Sequence, residues 1–264
     1  MKSSNRYEQI IERIFLSKYQ EGISELDFVR QDIIDVAQEL GMEAPKNVGD
    51  VIYSFRYRNI LPNSIKSKAP EGYSWIIRSV GRSRYRFIIV PEQIIIPSQM
   101  LSETKIPDAT PGMVLMYSLS DEQALLARLR YNRLIDIFTG VTCYSLQNHL
   151  RTTVPNIGQV ETDELYIGVD RRGAHYVFPV QAKGKKDRLS IVQIEQDFAL
   201  CAAKFPSLIC RPIAAQFMDA SLIALFEFEQ NNDRISIVTE KHYRLVAPES
   251  ISKSELESYQ HRSM

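Results

Sequence analysis

Between Gly158 and Gly184 the chain carries two apolar-rich segments joined by Arg171-Arg172-Gly173, and this pair limits the fold more than any other stretch does. A three-residue loop ending in a glycine suits a β-hairpin with that glycine in the left-handed conformation. Asp170 then pairs with Ala174, and the register of the whole hairpin follows. Asp163 falls opposite Gln181 and Glu161 opposite Lys183, with all four side chains on one face because strand side chains alternate. A slip of one residue would bring Glu164 opposite Gln181 instead, and a bulge beside the site could do the same. Three carboxylates in four positions, Glu161, Asp163 and Glu164, suit a strand poorly, since like charges crowd. A bound cation would relieve that repulsion.

Elsewhere the apolar spacing predicts helices over Tyr7 to Tyr19, Glu25 to Leu40 and Val48 to Arg58. A break at Gly81-Arg82-Ser83 between Tyr73 and Val90 predicts a second hairpin. Residues 91 to 113 hold Pro91, Pro97, Pro107 and Pro111 and read as a linker. Beyond it we expect helices over Ala124 to Phe138 and about Ser145 to Thr152. Strands follow at Gln159 to Val169 and His175 to Ala182, then a helix over Ile191 to Lys204. Three final strands lie near Pro212 to Phe217, Leu222 to Glu229 and Ile235 to Val246. The fold class is therefore α/β (α+β), with a domain over 1–95, a linker over 96–113, a mixed sheet flanked by helices over 114–250, and a tail over 251–264.

With 44% hydrophobic and 24% charged residues the chain has a globular composition. Its 32 basic and 32 acidic residues cancel, so net charge names no partner. Distribution does: from Arg56 to Arg86 eight basic residues stand against the single acid Glu71, a local footprint of the kind that binds phosphate backbones. The three cysteines have no metal-ligand or disulfide spacing. The N-terminus lacks a signal-like apolar stretch and no run is long enough to span a bilayer, so we expect a soluble, cytoplasmic protein with no membrane partner.

Three helices followed by a basic hairpin resemble a winged helix-turn-helix. That resemblance implies DNA contacts from Tyr53, Arg56 and Arg58 on the third helix and from Arg78, Arg82, Arg84 and Arg86 on the wing. The hairpin with acids on its first strand and Gln181-Ala182-Lys183 on its second resembles the PD-(D/E)xK, restriction endonuclease-like superfamily, in a Q-x-K variant. The apolar runs Leu165-Tyr166-Ile167 and Val177-Phe178 suit the same pattern. The resemblance implies a metal-dependent endonuclease with Asp163, Glu164, Gln181 and Lys183 as catalytic residues, and Mg²⁺, or Mn²⁺ in its place, held by Asp163, Glu164, Glu161 and Gln181. Double-stranded DNA is the implied partner, and cutting two strands implies a homodimer. Gln193, Glu195 and Gln196 on the following helix, and Gln147, His149 and Arg151 before the hairpin, are candidates for supporting roles.

Two other classes are weighed. Val160 to Gly168 is also similar to the first catalytic strand of some DDE transposases, with Asp219 as a second acid and no evident third. A regulator with an inactive nuclease-like domain would bind DNA without cutting it.

Overall fold

In the computed structural model the described residues are 5–92, 95–155, 157–185, 187–231 and 234–262. They form two compact units, one of Met1–Ile95, Arg151–Val160 and Ser190–Gln196, the other of Ile96–Leu150, Glu161–Leu189 and Asp197–Met264. Helices and strands both contribute heavily and the second unit's sheet is mixed, the α/β (α+β) class expected.

The first unit opens with α1 (Arg6–Lys18). Its N-cap Asn5 and Glu8 make a reciprocal capping box, which satisfies backbone donors at the helix start. Then come β1 (Glu25–Val29), α2 (Arg30–Glu39) and α3 (Val48–Tyr53), which continues as a π turn over Ser54–Arg58. A short α4 (Asn63–Lys66) precedes the hairpin of β2 (Tyr73–Ser79) and β3 (Arg84–Pro91). The sheet order is β1-β3-β2, antiparallel throughout.

The helix expected from Glu25 thus begins five residues late. Leu26 and Phe28 are buried while Glu25, Asp27 and Val29 are exposed, a period of two that a helical reading of Leu26, Val29 and Ile33 conceals. Beside β3 the strand's backbone groups find partners, and that pairing decides the conformation. Phe15 meets Trp75 and Phe87 edge-on, and Phe28 stacks on Phe87. Each such ring, fully buried, contributes roughly 1.5–3 kcal/mol.

The second unit is built on one sheet in the order β4-β11-β10-β9-β7-β6-β5, with β8 added beside β7. Its elements are β4 (Glu103–Pro107), α5 (Gly112–Met116), α6 (Asp121–Tyr131), α7 (Leu134–Thr139), β5 (Thr142–Val154), β6 (Gly158–Val169), β7 (His175–Lys183), α8 (Ile191–Lys204), β8 (Ile209–Cys210), β9 (Ile213–Phe217), β10 (Leu222–Asn231), β11 (Arg234–Val246) and α9 (Lys253–Gln260). By the unit division, β5, β6 and α8 each contribute residues to both units.

Four expectations change here. The stretch read as a linker supplies β4, which pairs in parallel with β11 from His242↔Glu103 to Val246↔Pro107. The helix over Ala124 to Phe138 breaks into α6 and α7 at Arg133, whose φ is 52°, while the Asn132 side chain bonds Ala109, Thr110 and Arg128. The segment Ser145 to Thr152 lies in strand β5, not in a helix; Leu146 and Leu150 have helical spacing, but β5 is the sheet neighbour of β6. The tail read from 251 forms α9 behind a Ser252 and Glu255 capping box.

The β6–β7 hairpin has the expected register, from Val169↔His175 to Glu164↔Val180. Gly173 is left-handed at φ 81°. Gly168 is required for a different reason: a Cβ there would lie 2.7 Å from Val141 and 2.8 Å from Phe178. Beyond the hairpin, β7 pairs in parallel with β9 from Val180↔Ile213 to Lys183↔Gln216.

Candidate functional site

The end of β7 is buried and polar. Gln181 and Lys183 are 1% and 8% exposed, flanking the fully buried Ala182. Gln216 on β9 is Lys183's sheet partner, and its Nε2 donates to the Asp187 carbonyl at 2.8 Å. Asp187 in turn accepts the Gly184 N–H at 3.1 Å. These bonds anchor the chain where it leaves β7 and so hold Lys183 in position.

On β6, Asp163 Oδ2 accepts the Ala182 N–H at 2.8 Å, tying the acidic strand to the middle of Gln-Ala-Lys. Burial is the largest influence on this carboxyl and raises its pKa; Lys183, the Ala182 N–H and His149 act in the opposite direction. His149 is exposed and sits in β5 with φ 47°, a left-handed backbone uncommon for residues other than glycine. The Glu161 carbonyl lies 3.4 Å from Gln181 Nε2.

The residue that sequence reasoning missed is Asp197 on α8. It is 1% exposed, and Gln181 Nε2 donates to both its oxygens, at 3.1 and 3.0 Å. Burial raises its pKa well above the usual carboxylate range, and the charge of Asp163 adds to the rise. Lys183 pulls the other way. The signal was available in the sequence: Ile194, Leu200 and Cys201 form the buried face of α8, and Asp197 falls on it. A carboxylate on the apolar face of a helix needs a partner.

Glu164, in contrast, turns away from this cluster. It is completely buried and accepts hydrogen bonds from Ser145 Oγ at 2.6 Å and from Arg130 Nε and Nη2 at 3.1 and 2.9 Å. Arg130 also reaches Asn148. Period-two alternation separates Glu164 from Asp163, as the register demanded. Lys183 Nζ has Glu122 Oε1 at 3.8 Å. Asp219 is engaged in a turn, accepting the Ser221 and Leu222 N–H groups and the Arg244 guanidinium.

The arginines read as a phosphate footprint divide into two groups. Arg82 and Arg84 are exposed at the hairpin tip. Arg86 is paired with Asp27 and Glu25, and Arg78 with Glu195. Arg56 and Arg58 lie over the rings of Tyr57 and Tyr53, and Tyr53 is 45% exposed. Tyr57 donates to Gln196 at 2.9 Å. A count along the sequence overstates the free charge, because the neutralising acids Glu25, Asp27 and Glu195 come from outside the counted segment.

The cluster's donors are hard oxygens, from the carboxylates Asp163 and Asp197 and the amide of Gln181, which is the chemistry that suits Mg²⁺. Their burial leaves two carboxyls that a cation would stabilise in the charged form. Among the described residues no group of three or more His, Cys, Asp or Glu is arranged to hold a metal ion, so Gln181 would have to supply a ligand beside the two acids. No helix among the described residues is long and apolar enough to cross a membrane. Comparison with family models, with curated proteins and with solved structures finds no match.

Proposed function

We propose that this chain is a Mg²⁺-dependent DNA endonuclease whose site is Asp163, Gln181, Lys183 and Asp197. The observation that carries this reading is the convergence on one buried patch of an acid from β6, the Gln-x-Lys pair from β7 and a second acid from α8. Asp163, Asp197 and Gln181 would hold the metal, which when bound supplies Lewis-acid polarisation of a phosphodiester and a more acidic water. Lys183, with its positive charge held at a nearly closed position, orients the attacking water or steadies charge developing on the phosphate. Asp197 takes the place of the acid that Gln181 does not provide, and Glu164 drops out of the ligand set. The exposed Arg82 and Arg84, together with Tyr53 and Arg58, suit contacts to duplex DNA. A homodimer is the expected working form for cutting both strands.

A test incubates the protein with plasmid and Mg²⁺ beside Lys183→Ala and Asp163→Asn, while thermal melting with and without Mg²⁺ reads binding separately. Cleavage confined to the wild type, with Mg²⁺ raising its melting temperature and not that of Asp163→Asn, supports the reading. Intact plasmid in all samples over a range of sequences and methylation states sinks it. A regulator that binds without cutting is the second reading, favoured by the absence of a three-acid group among the described residues; it predicts duplex binding with no cleavage. A DDE transposase-like reading needs Asp219 free for chemistry, and Asp219 is committed to Arg244 and its own turn.

A further inference from the structure

In the β1-β3-β2 sheet, Arg86 is paired across the ladder with Asp27 on one side and with Arg78 on the other. Two guanidinium groups directly opposite each other repel unless acids neutralise them. Arg86 is served by Asp27, at 2.5 and 3.0 Å, and by Glu25 at 2.6 Å. Arg78 has no acid on its own sheet row beyond these. Its partner is Glu195, which takes its Nε at 2.9 Å and its Nη2 through the other carboxylate oxygen.

Glu195 belongs to the segment Ser190–Gln196, which groups with the N-terminal unit. That segment makes two more contacts there: Ser190 Oγ donates to the Arg56 carbonyl at 2.9 Å, and Gln196 Oε1 accepts from Tyr57. All three engaged residues, Arg56, Tyr57 and Arg78, lie on the elements whose charge suits DNA. The bidentate fork that Glu195 offers matches what a phosphate offers a guanidinium. The pair is partly open, with side chains 32% and 21% exposed, so a competing anion can reach it. Such pairs add little net stability.

We propose that Glu195 is an intramolecular mimic of phosphate that occupies Arg78 and withholds it from duplex DNA. This rests on the DNA-binding reading above. Exposed Arg82 and Arg84 make the contacts in the wild type, and Arg78 joins them only where Glu195 no longer holds it.

Binding of a fluorescent mixed-sequence duplex, followed by anisotropy in EDTA from 50 to 300 mM KCl, tests the idea. Glu195→Gln is expected to bind about three- to tenfold more tightly at the lowest salt, with a log–log salt slope steeper by about 0.9, the increment for one more phosphate contact. Glu195→Ala, as a second unmasking variant, is expected to behave alike, and Arg78→Gln/Glu195→Gln to return to the wild-type slope. Glu195→Gln and Glu195→Ala with wild-type affinity and slope overturn the proposal, as does a double variant that keeps the gain. If wild type binds and Arg82→Gln/Arg84→Gln weakens it while Glu195→Gln matches wild type, only the masking falls. If wild type shows no binding at 50 mM KCl, the DNA reading and the masking fall together.

Discussion

The side-chain amide of Gln181 donates to both oxygens of Asp197, at 3.1 and 3.0 Å, inside a patch from which solvent is almost excluded. Hydrogen bonding by the Gln181 amide and the Thr162 side chain does not offset the burial of a charged carboxylate. Asp197 is accordingly pushed well above the usual carboxylate range, and burial raises the pKa of Asp163 as well. On the proposed reading, a bound cation would offset the repulsion between the two carboxylates.

Asp197→Asn keeps an acceptor for Gln181 and removes the charge. Without metal, the variant should be as stable as the wild type or more stable by about 1 kcal/mol. Plasmid cleavage should fall about 100-fold. Urea unfolding in EDTA and a cleavage time course measure the two effects, and unchanged cleavage would remove Asp197 from the site.

Gln181→Glu brings a further carboxylate beside Asp163 and Asp197. The metal-free protein should lose about 2–3 kcal/mol at neutral pH, because a buried unpaired charge is costly. Mg²⁺ should restore much of that loss. Melting temperatures with and without Mg²⁺ report it, and a variant insensitive to Mg²⁺ would show that this patch is not a metal centre.

Glu164 and Asp163 are neighbours with different assignments. Glu164→Gln breaks a buried ion pair with the half-exposed Arg130 and should cost about 2 kcal/mol of stability. Asp163→Asn should instead abolish cleavage while leaving stability near wild type. Paired unfolding and cleavage measurements decide between them; the reverse pattern would move the site to the other face of β6.

Asp170 closes the hairpin. Its carboxylate accepts the Ala174 and Arg172 N–H groups and the Tyr176 hydroxyl, and its pKa is lowered to about 2, with the Ala174 N–H the largest cause. A depressed acid contributes stability above its ordinary value, near 4, and that contribution disappears as pH falls towards 2. The stability gap between wild type and Asp170→Asn should therefore be constant above about pH 5 and close below it. A gap that persists unchanged at pH 2.5 would assign it to hydrogen bonding alone.

How much of this could be read from the residues is clearest at the hairpin. The loop Arg171-Arg172-Gly173 and strict alternation determined the register, and with it the separation of Asp163 from Glu164, because both are local properties of backbone geometry. The apolar face of α8 was equally legible, and the misplaced carboxylate on it marked Asp197 for anyone asking which partner a buried acid would find. Its partner was not legible: Gln181 and Asp197 meet only when α8 packs on the sheet, sixteen residues apart in sequence.

The same division explains the failures. Glu25 to Val29 and Ser145 to Thr152 carry spacings that fit a helix or a strand, and local propensity does not choose between them. Hydrogen bonding to a neighbouring strand, β3 from far along the chain in one case and the next strand β6 in the other, made the choice. Charge behaved likewise. The number of arginines in the N-terminal segment is plain from the residues, but which of them are neutralised depends on how the chain folds, since electrostatic pairing acts through space and Glu195 lies 117 residues from Arg78.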